Sequence, residues 1–192
     1  MLTRNATMRD IPQMLSLING YAAQAVMLPR TDFELAEDIR DFVVAEADGQ
    51  IVGCGALHIY TPTAAEVRSL AVDPHQKTRG IGKEIVSRLE VEAARFGLTS
   101  IFAFTYVPGF FSKLGYSQVD RGMLPQKAWK DCLRCPKFQN CDEIAVHKAV
   151  PASSATWSPS TKLLHVLPTN APAPAVSVGI PVPSHTVIPK IG

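Results

Sequence analysis

The sequence predicts an α/β protein: a mixed central sheet flanked by helices over residues 1–150, then a proline-rich flexible tail over 151–192. Three observations carry that expectation. Strand-type and helix-type hydrophobic periods alternate along the first 150 residues, as layered α/β domains require. Asp48-Gly49, lying between two β-rich runs, is a strong hairpin turn. Composition then changes at Pro151, beyond which the chain holds eight of its 15 prolines, two lysines and no acids.

The elements follow in order. LTRNA is a short strand, and Thr7 is a candidate N-cap for a helix from Asp10 to about Ala25. In that helix Ile11, Met14, Leu15, Ile18 and Ala22 recur at helical spacing. Asp32 to Ile39 is a second, shorter helix, and DFVVAEADGQIVGCGALHIY is the hairpin. AEVRSLAVD is the next strand. From Gly82 to Phe96 runs a longer helix, with Ile81, Ile85, Leu89 and Ala93 on one face and Gly97 as its stop. SIFAFTYV is a strand, PGFFSKLG a short helix, YSQVD a strand and CDEIAVHKAV the last one.

The hydrophobic fraction of 46% and charged fraction of 19% are those of an ordinary globular protein with a substantial core. A formal charge of +2 without a dense Lys/Arg run speaks against nucleic acid as the main partner. Residues 11–28 imitate a signal peptide, yet Asp10 spoils the basic flank, and Gln13, Asn19 and Gln24 interrupt the apolar run. No apolar stretch is long enough for a membrane span. The expectation is a cytoplasmic protein with reduced cysteines; a homodimer stays open.

The stretch SLAVDPHQKTRGIGKE decides the chemistry. A Walker loop fails because Gly82-Lys83 is followed by Glu84, and a dinucleotide fingerprint fails for want of its third glycine. A third design fits: backbone N–H groups at a helix N-terminus form a positive concavity, and glycines let a pyrophosphate approach them. Lys77 and Arg79 add charge at the rim.

This strand-turn-helix, LAV-D-P-x5-G-x-G, resembles the acyl-CoA pyrophosphate loop of the GNAT N-acetyltransferase superfamily. RNATMRDIPQML resembles that superfamily's opening strand and helix, and GFFSKLGY its late helix-to-strand signature, so the likeness spans roughly residues 2–120. The resemblance implies a GNAT fold with acetyl-CoA as cosubstrate. It also implies that Lys77, Thr78, Arg79, Gly80, Ile81, Gly82 and Lys83 surround the diphosphate, while Leu70, Ala71 and Val72 lie along the pantetheine and thioester.

Transfer to an amine needs a base, because an α-amino group with a pKa near ~8 is largely protonated at neutral pH. On AEVRSLAV the two-residue period puts residues 66, 68 and 70 on one face. Glu66 occupies the strand position at which GNAT histone acetyltransferases hold their glutamate base. The plain alternative is a Glu66–Arg68 or other surface ion pair. The superfamily's usual general acid, a tyrosine, is replaced here by Phe111, so solvent or the leaving thiolate's own basicity must serve.

Arg30 after Pro29 and Arg68 on the strand suit an acceptor with two carboxylates, since a guanidinium fork meets a carboxylate bidentately; Lys127 is a further candidate. LIN, MLPR, EVRSLAV and LPQKAWKDCLRCPKFQNCDEIAV resemble the short, single-domain bacterial N-acetylglutamate synthases. This likeness implies L-glutamate as acceptor and the first step of arginine biosynthesis. Alternatives are another small amine, a protein N-terminus, or an acyl-CoA sensor without catalysis. The spacing Cys132-x2-Cys135-x5-Cys141 has the look of a zinc site one ligand short, which His147 or Cys54 would have to complete. Packed reduced thiols or a redox role compete with it.

Overall fold

β1 (Leu2–Asn5) leads into α1 (Ile11–Ala22) and α2 (Asp32–Glu37), followed by the run β2 (Phe42–Ala47), β3 (Gln50–Thr61) and β4 (Ala64–Val72). Then come α3 (Ile81–Arg95), β5 (Ser100–Thr105), α4 (Pro108–Ser112), β6 (Ser117–Gln118) and β7 (Ile144–Ala149). The structure, a computed structural model, describes residues 1–77, 79–124 and 132–151. The seven strands form one sheet in the order β1-β2-β3-β4-β5-β7-β6. Its neighbours are antiparallel except β4 and β5, which run parallel. This is the expected GNAT-type mixed α/β sheet. The tail expected over 151–192 lies, apart from Pro151, outside the described residues.

Two elements are shorter than their sequence periods suggest. The first helix stops at Ala22, and Ala25 beyond it takes a left-handed φ of 56°, so the chain turns before the expected end. The YSQVD strand shrinks to Ser117–Gln118, because the Asp120 carboxylate accepts the Gly122 N–H at 2.6 Å and starts a 3-10 turn.

Alternation along the strands buries both faces. Met14, Ile18, Leu35, Phe42, Val44 and Ala56 form the core under α1 and α2. Val43, Ala45, Leu57, Val67, Ile85 and Leu89 form the opposite core under α3. Helix α3 lies directly on β3. A Cβ built on Gly53 would come within 2.9 Å of Ile81 Cγ2, and one on Gly55 within 2.9 Å of Ile85 Cγ2. Any larger residue there would lift the start of α3 off the sheet.

β4 carries the main irregularity. Cys54 pairs with Ala71 and Ala56 with Arg68, so three steps along β4 oppose two along β3. The extra residue is a bulge at Ser69, whose φ of +52° is uncommon for a non-glycine. The bulge corrects the expected shared face of residues 66, 68 and 70. Leu70 packs on the α3 side, within 3.2 Å of a Cβ built on Gly55, whereas Ala71 joins the core on the α1 side.

An ion network pins β1 and β2 to the start of α1. Arg4 donates to both Asp10 carboxylate oxygens at 2.8 Å and to Glu46 at 2.7 Å, while the Thr7 N–H donates to Asp10 at 2.7 Å. The Arg4 hydrogen bonds, outweighing burial, hold the Asp10 carboxyl down from 3.8 to about 2. A depressed carboxyl stabilises the fold above its unfolded value and loses that contribution as pH falls through the folded one. Urea unfolding at pH 7 is expected to show Asp10→Asn less stable than the parent by about 2 kcal/mol. That gap should narrow between pH 4 and pH 2; a gap independent of pH would mean the carboxylate's charge is irrelevant.

Candidate active site

The pairing of β4 with β5 runs only from Ala64↔Ser100 to Glu66↔Phe102. Beyond it the two strands part, and the wedge opens into a cavity of about 850 Å³, the size of a site for an elongated small molecule. Its walls come from five places: β4, residues 21–30 at and after the end of α1, the turn into α3, residues 104–111 of β5 and α4, and residues 132–143.

One end is the turn into α3. The Asp73 side chain accepts the His75 N–H at 2.9 Å and starts a 3-10 turn over Pro74–Gln76. Gly80 then caps α3 with φ +80°, a conformation that favours glycine. The first N–H groups of an α-helix have no partner within it, so the amides of Ile81, Gly82 and Lys83 belong to the part of α3 that can take an anion. These three residues, Gly80 and Lys77 line the cavity, as do Leu70 and Val72. The Lys77 ammonium lies 5.1 Å from the centre of the Tyr21 ring, whose hydroxyl donates to the Val72 carbonyl at 2.6 Å. Two expected cofactor residues stand apart: the Ala71 side chain is buried against the α1 core and Arg79 is exposed, and neither lines the cavity. Thr78 lies outside the described residues.

Where the wedge begins stands Glu66, 1% exposed, opposite His58 on β3 and accepting a hydrogen bond from the Tyr60 hydroxyl at 3.1 Å. A carboxylate this deep, lining a cleft, is placed to take a proton from a bound amine. Arg68 lines the same wall and donates from Nη2 to Asp38 Oδ2 at 2.7 Å. Arg30 reaches the cavity from the segment before α2 and is 8% exposed. The structure therefore brings Glu66, Arg30 and Arg68 to one cavity with the α3 turn. Lys127 lies outside the described residues.

Phe111, in the usual place of the acid, is 3% exposed, its ring edge-on to Phe110 and to Tyr116 at 5.1 and 5.2 Å. Tyr106 also lines the cavity. Its hydroxyl donates to Asp142 at 2.7 Å and accepts from Lys137 at 2.9 Å, and burial is the main cause that raises its pKa.

Cys132, Cys135 and Cys141 all line the cavity, but among the described residues their thiols do not converge as a set of three. Among the described residues, the ligand-type atoms that converge in threes within 4.8 Å belong to Asp38, Asp41 and His58. The Cys135 N–H bonds to the Cys132 carbonyl across one 3-10 turn, and Cys141 follows a second such turn with its thiol 4.0 Å from Glu143. Nor do Asp38, Asp41 and His58 make an inviting metal site, because Arg68 already supplies a cation to Asp38 and His58 Nδ1 is bonded to Asp41 at 2.9 Å.

The fourth cysteine differs. Cys54 is fully buried, its thiol 3.8 Å from the Ser69 carbonyl at the bulge, and burial pushes its pKa up to about 12. Thiolate is the reactive species, so Cys54 should be inert in the native protein. Alkylation with iodoacetamide followed by peptide mass spectrometry is expected to label Cys132, Cys135 and Cys141, and Cys54 only after unfolding. Native labelling of Cys54 would mean that β4 opens at the bulge.

As site residues, Asn19, Tyr21 and Tyr60 escaped the sequence analysis. Each acts on a partner that no local pattern marks, such as Tyr21 on Val72, 51 residues away.

The likenesses to known proteins agree with this geometry. The model of the acetyltransferase (GNAT) family matches residues 11–116. An uncharacterized N-acetyltransferase of Chlorobaculum tepidum is 40% identical over 147 residues, which are 77% of this chain and 95% of that protein. The amino-acid acetyltransferase of Mycobacterium tuberculosis is 34% identical over 122 residues, 62% of this chain and 70% of that protein. Among solved structures, a Mycobacterium tuberculosis protein in complex with CoA and NLQ matches with a TM-score of 0.67 at 26% identity. That match covers 78% of this chain and 99% of the other.

Proposed function

Because the chain belongs to the acetyltransferase (GNAT) family and is an acetyl-CoA-dependent N-acetyltransferase, we propose that it acetylates the α-amino group of an amino acid, namely L-glutamate. The observation that carries this reading is the pair Arg30 and Arg68 on the cavity wall that also holds Glu66. A cavity with two guanidinium groups favours an anionic acceptor over a cationic amine. The name of the Mycobacterium tuberculosis relative, amino-acid acetyltransferase, supports the acceptor class. In this reading the reaction is the N-acetylglutamate synthase step that begins arginine biosynthesis, carried out in the cytoplasm.

The amides at the start of α3 hold the diphosphate, and the open edge of β4 beyond Glu66 takes the pantetheine. Arg30 and Arg68 take acceptor carboxylates, with Lys127 as a third candidate. Glu66 accepts the ammonium proton, so the amine lone pair can attack the thioester carbonyl in a ternary complex. A C–N bond forms, the C–S bond breaks with its electron pair leaving on sulfur, and the nitrogen gives up its second proton to solvent. The coenzyme A thiolate, a weak base for which the free thiol value is ~8.5, then takes a proton from solvent. Phe111 provides none.

Steady-state release of coenzyme A from acetyl-CoA, measured across a panel of amino acids and small amines, tests the proposal. Turnover with L-glutamate well above that with lysine or polyamines is the expected result. Preference for a cationic amine would overturn the acceptor, and acetyl-CoA binding without turnover on any acceptor would leave a sensor.

A further inference from the structure

We propose that Asn19 is a positioning residue for the acceptor, aiming the Arg30 guanidinium into the cavity by clamping Arg30's main chain. The inference rests on the reading that Arg30 takes an acceptor carboxylate. Asn19 stands in the last turn of α1 and uses both ends of its side-chain amide on one residue. Nδ2 donates to the Arg30 carbonyl at 2.9 Å, and Oδ1 accepts the Arg30 N–H at 2.9 Å. Of the natural side chains, an amide of this length offers a donor and an acceptor side by side. Aspartate would lose the donor, and alanine both.

The clamp sits where placement matters. Pro29 restricts the chain just before Arg30. Just after it, the Thr31 N–H bonds to Glu34 at 2.9 Å and the Glu34 N–H returns to the Thr31 hydroxyl at 3.2 Å, a reciprocal cap for α2. The residues between α1 and Arg30 have no regular hydrogen-bond ladder, and Tyr21 fastens their other end to the Val72 carbonyl. Asn19 thus ties the main chain of Arg30 to α1 at both its N–H and its carbonyl. The Arg30 side chain is 8% exposed and lines the cavity, so rotation of its backbone swings the guanidinium across the acceptor's place. A misplacement of about 1 Å can cost about a hundredfold in an enzyme.

A double-mutant cycle on the full chain tests this, using Asn19→Ala, Arg30→Ala and the double variant with acetyl-CoA and L-glutamate. Asn19→Ala is expected to raise the KM for L-glutamate about tenfold, the effect of losing roughly one well-placed hydrogen bond. The KM for acetyl-CoA should stay within about twofold, and the double variant should be no worse than Arg30→Ala alone. Independent, multiplying effects of the two substitutions would overturn the proposal, as would equal changes in both KM values. Hydrogen exchange supplies a readout without substrate: the Arg30 amide should exchange faster in Asn19→Ala, and unchanged protection would also overturn the clamp. A parent protein without turnover on L-glutamate sinks the acceptor reading and this inference with it. An active parent with an additive cycle sinks the inference alone.

Discussion

Replacing Glu66 with glutamine is expected to lower kcat by about 10²- to 10⁴-fold, the usual contribution of a general base. The amide keeps the shape of the carboxylate and still offers an oxygen to the Tyr60 hydroxyl, now 3.1 Å from Glu66 Oε2, so the fold should survive. What it loses is the capacity to take a proton. The KM for acetyl-CoA should change little, because the diphosphate and pantetheine contacts proposed above lie further along the cavity. A loss confined to kcat with cosubstrate binding intact identifies an interaction made in the transition state. Part of the loss should return at alkaline pH, where solvent delivers the amine already neutral; α-amino groups titrate near ~8 in peptides. Steady-state kinetics from pH 6 to pH 10 would reveal it. A kcat within about threefold of the parent would make Glu66 a structural acid satisfied by Tyr60.

Leucine in place of Gly82 is expected to raise the Kd for acetyl-CoA at least about a hundredfold, close to 3 kcal/mol. A Cβ at Gly82 would already lie 3.3 Å from the Phe110 ring, and the rest of the side chain has the cavity as its free space. It would stand where the diphosphate must come close to the amides of Ile81, Gly82 and Lys83. Gly82 is half-buried at the second position of α3, so leucine there should cost far less in stability than in binding. Isothermal titration with acetyl-CoA, beside a thermal melt, separates the two. Unaltered affinity in a folded variant would place the diphosphate elsewhere.

Local chemistry made much of this fold legible. Asp48-Gly49 predicted the hairpin because both residues tolerate the left-handed region, and they adopt φ of 51° and 75°. The stripe Ile81, Ile85, Leu89 and Ala93 predicted α3 because four residues apart means one helix face, and all four are buried. Of the candidate site, the β4-turn-α3 corner was legible for the same reason: its parts are neighbours in sequence. The bulge was not, since Ser69 is no glycine and nothing in SLAV advertises an extra residue. Asp38 on Arg68 and Asn19 on Arg30 were hidden too, being side-chain pairings across 30 and 11 residues. Such partners are chosen by packing, which a linear pattern does not record.

The supernumerary residue at Ser69 gives β4 two phases. Upstream, even-numbered positions look toward α1; downstream, odd-numbered ones do. With the proposed roles the strand is two rulers joined at a splice, one graduated for the nucleophile's proton and carboxylates, the other for the carrier's long arm. Substitutions on the first ruler would then change what this chain modifies without disturbing the second.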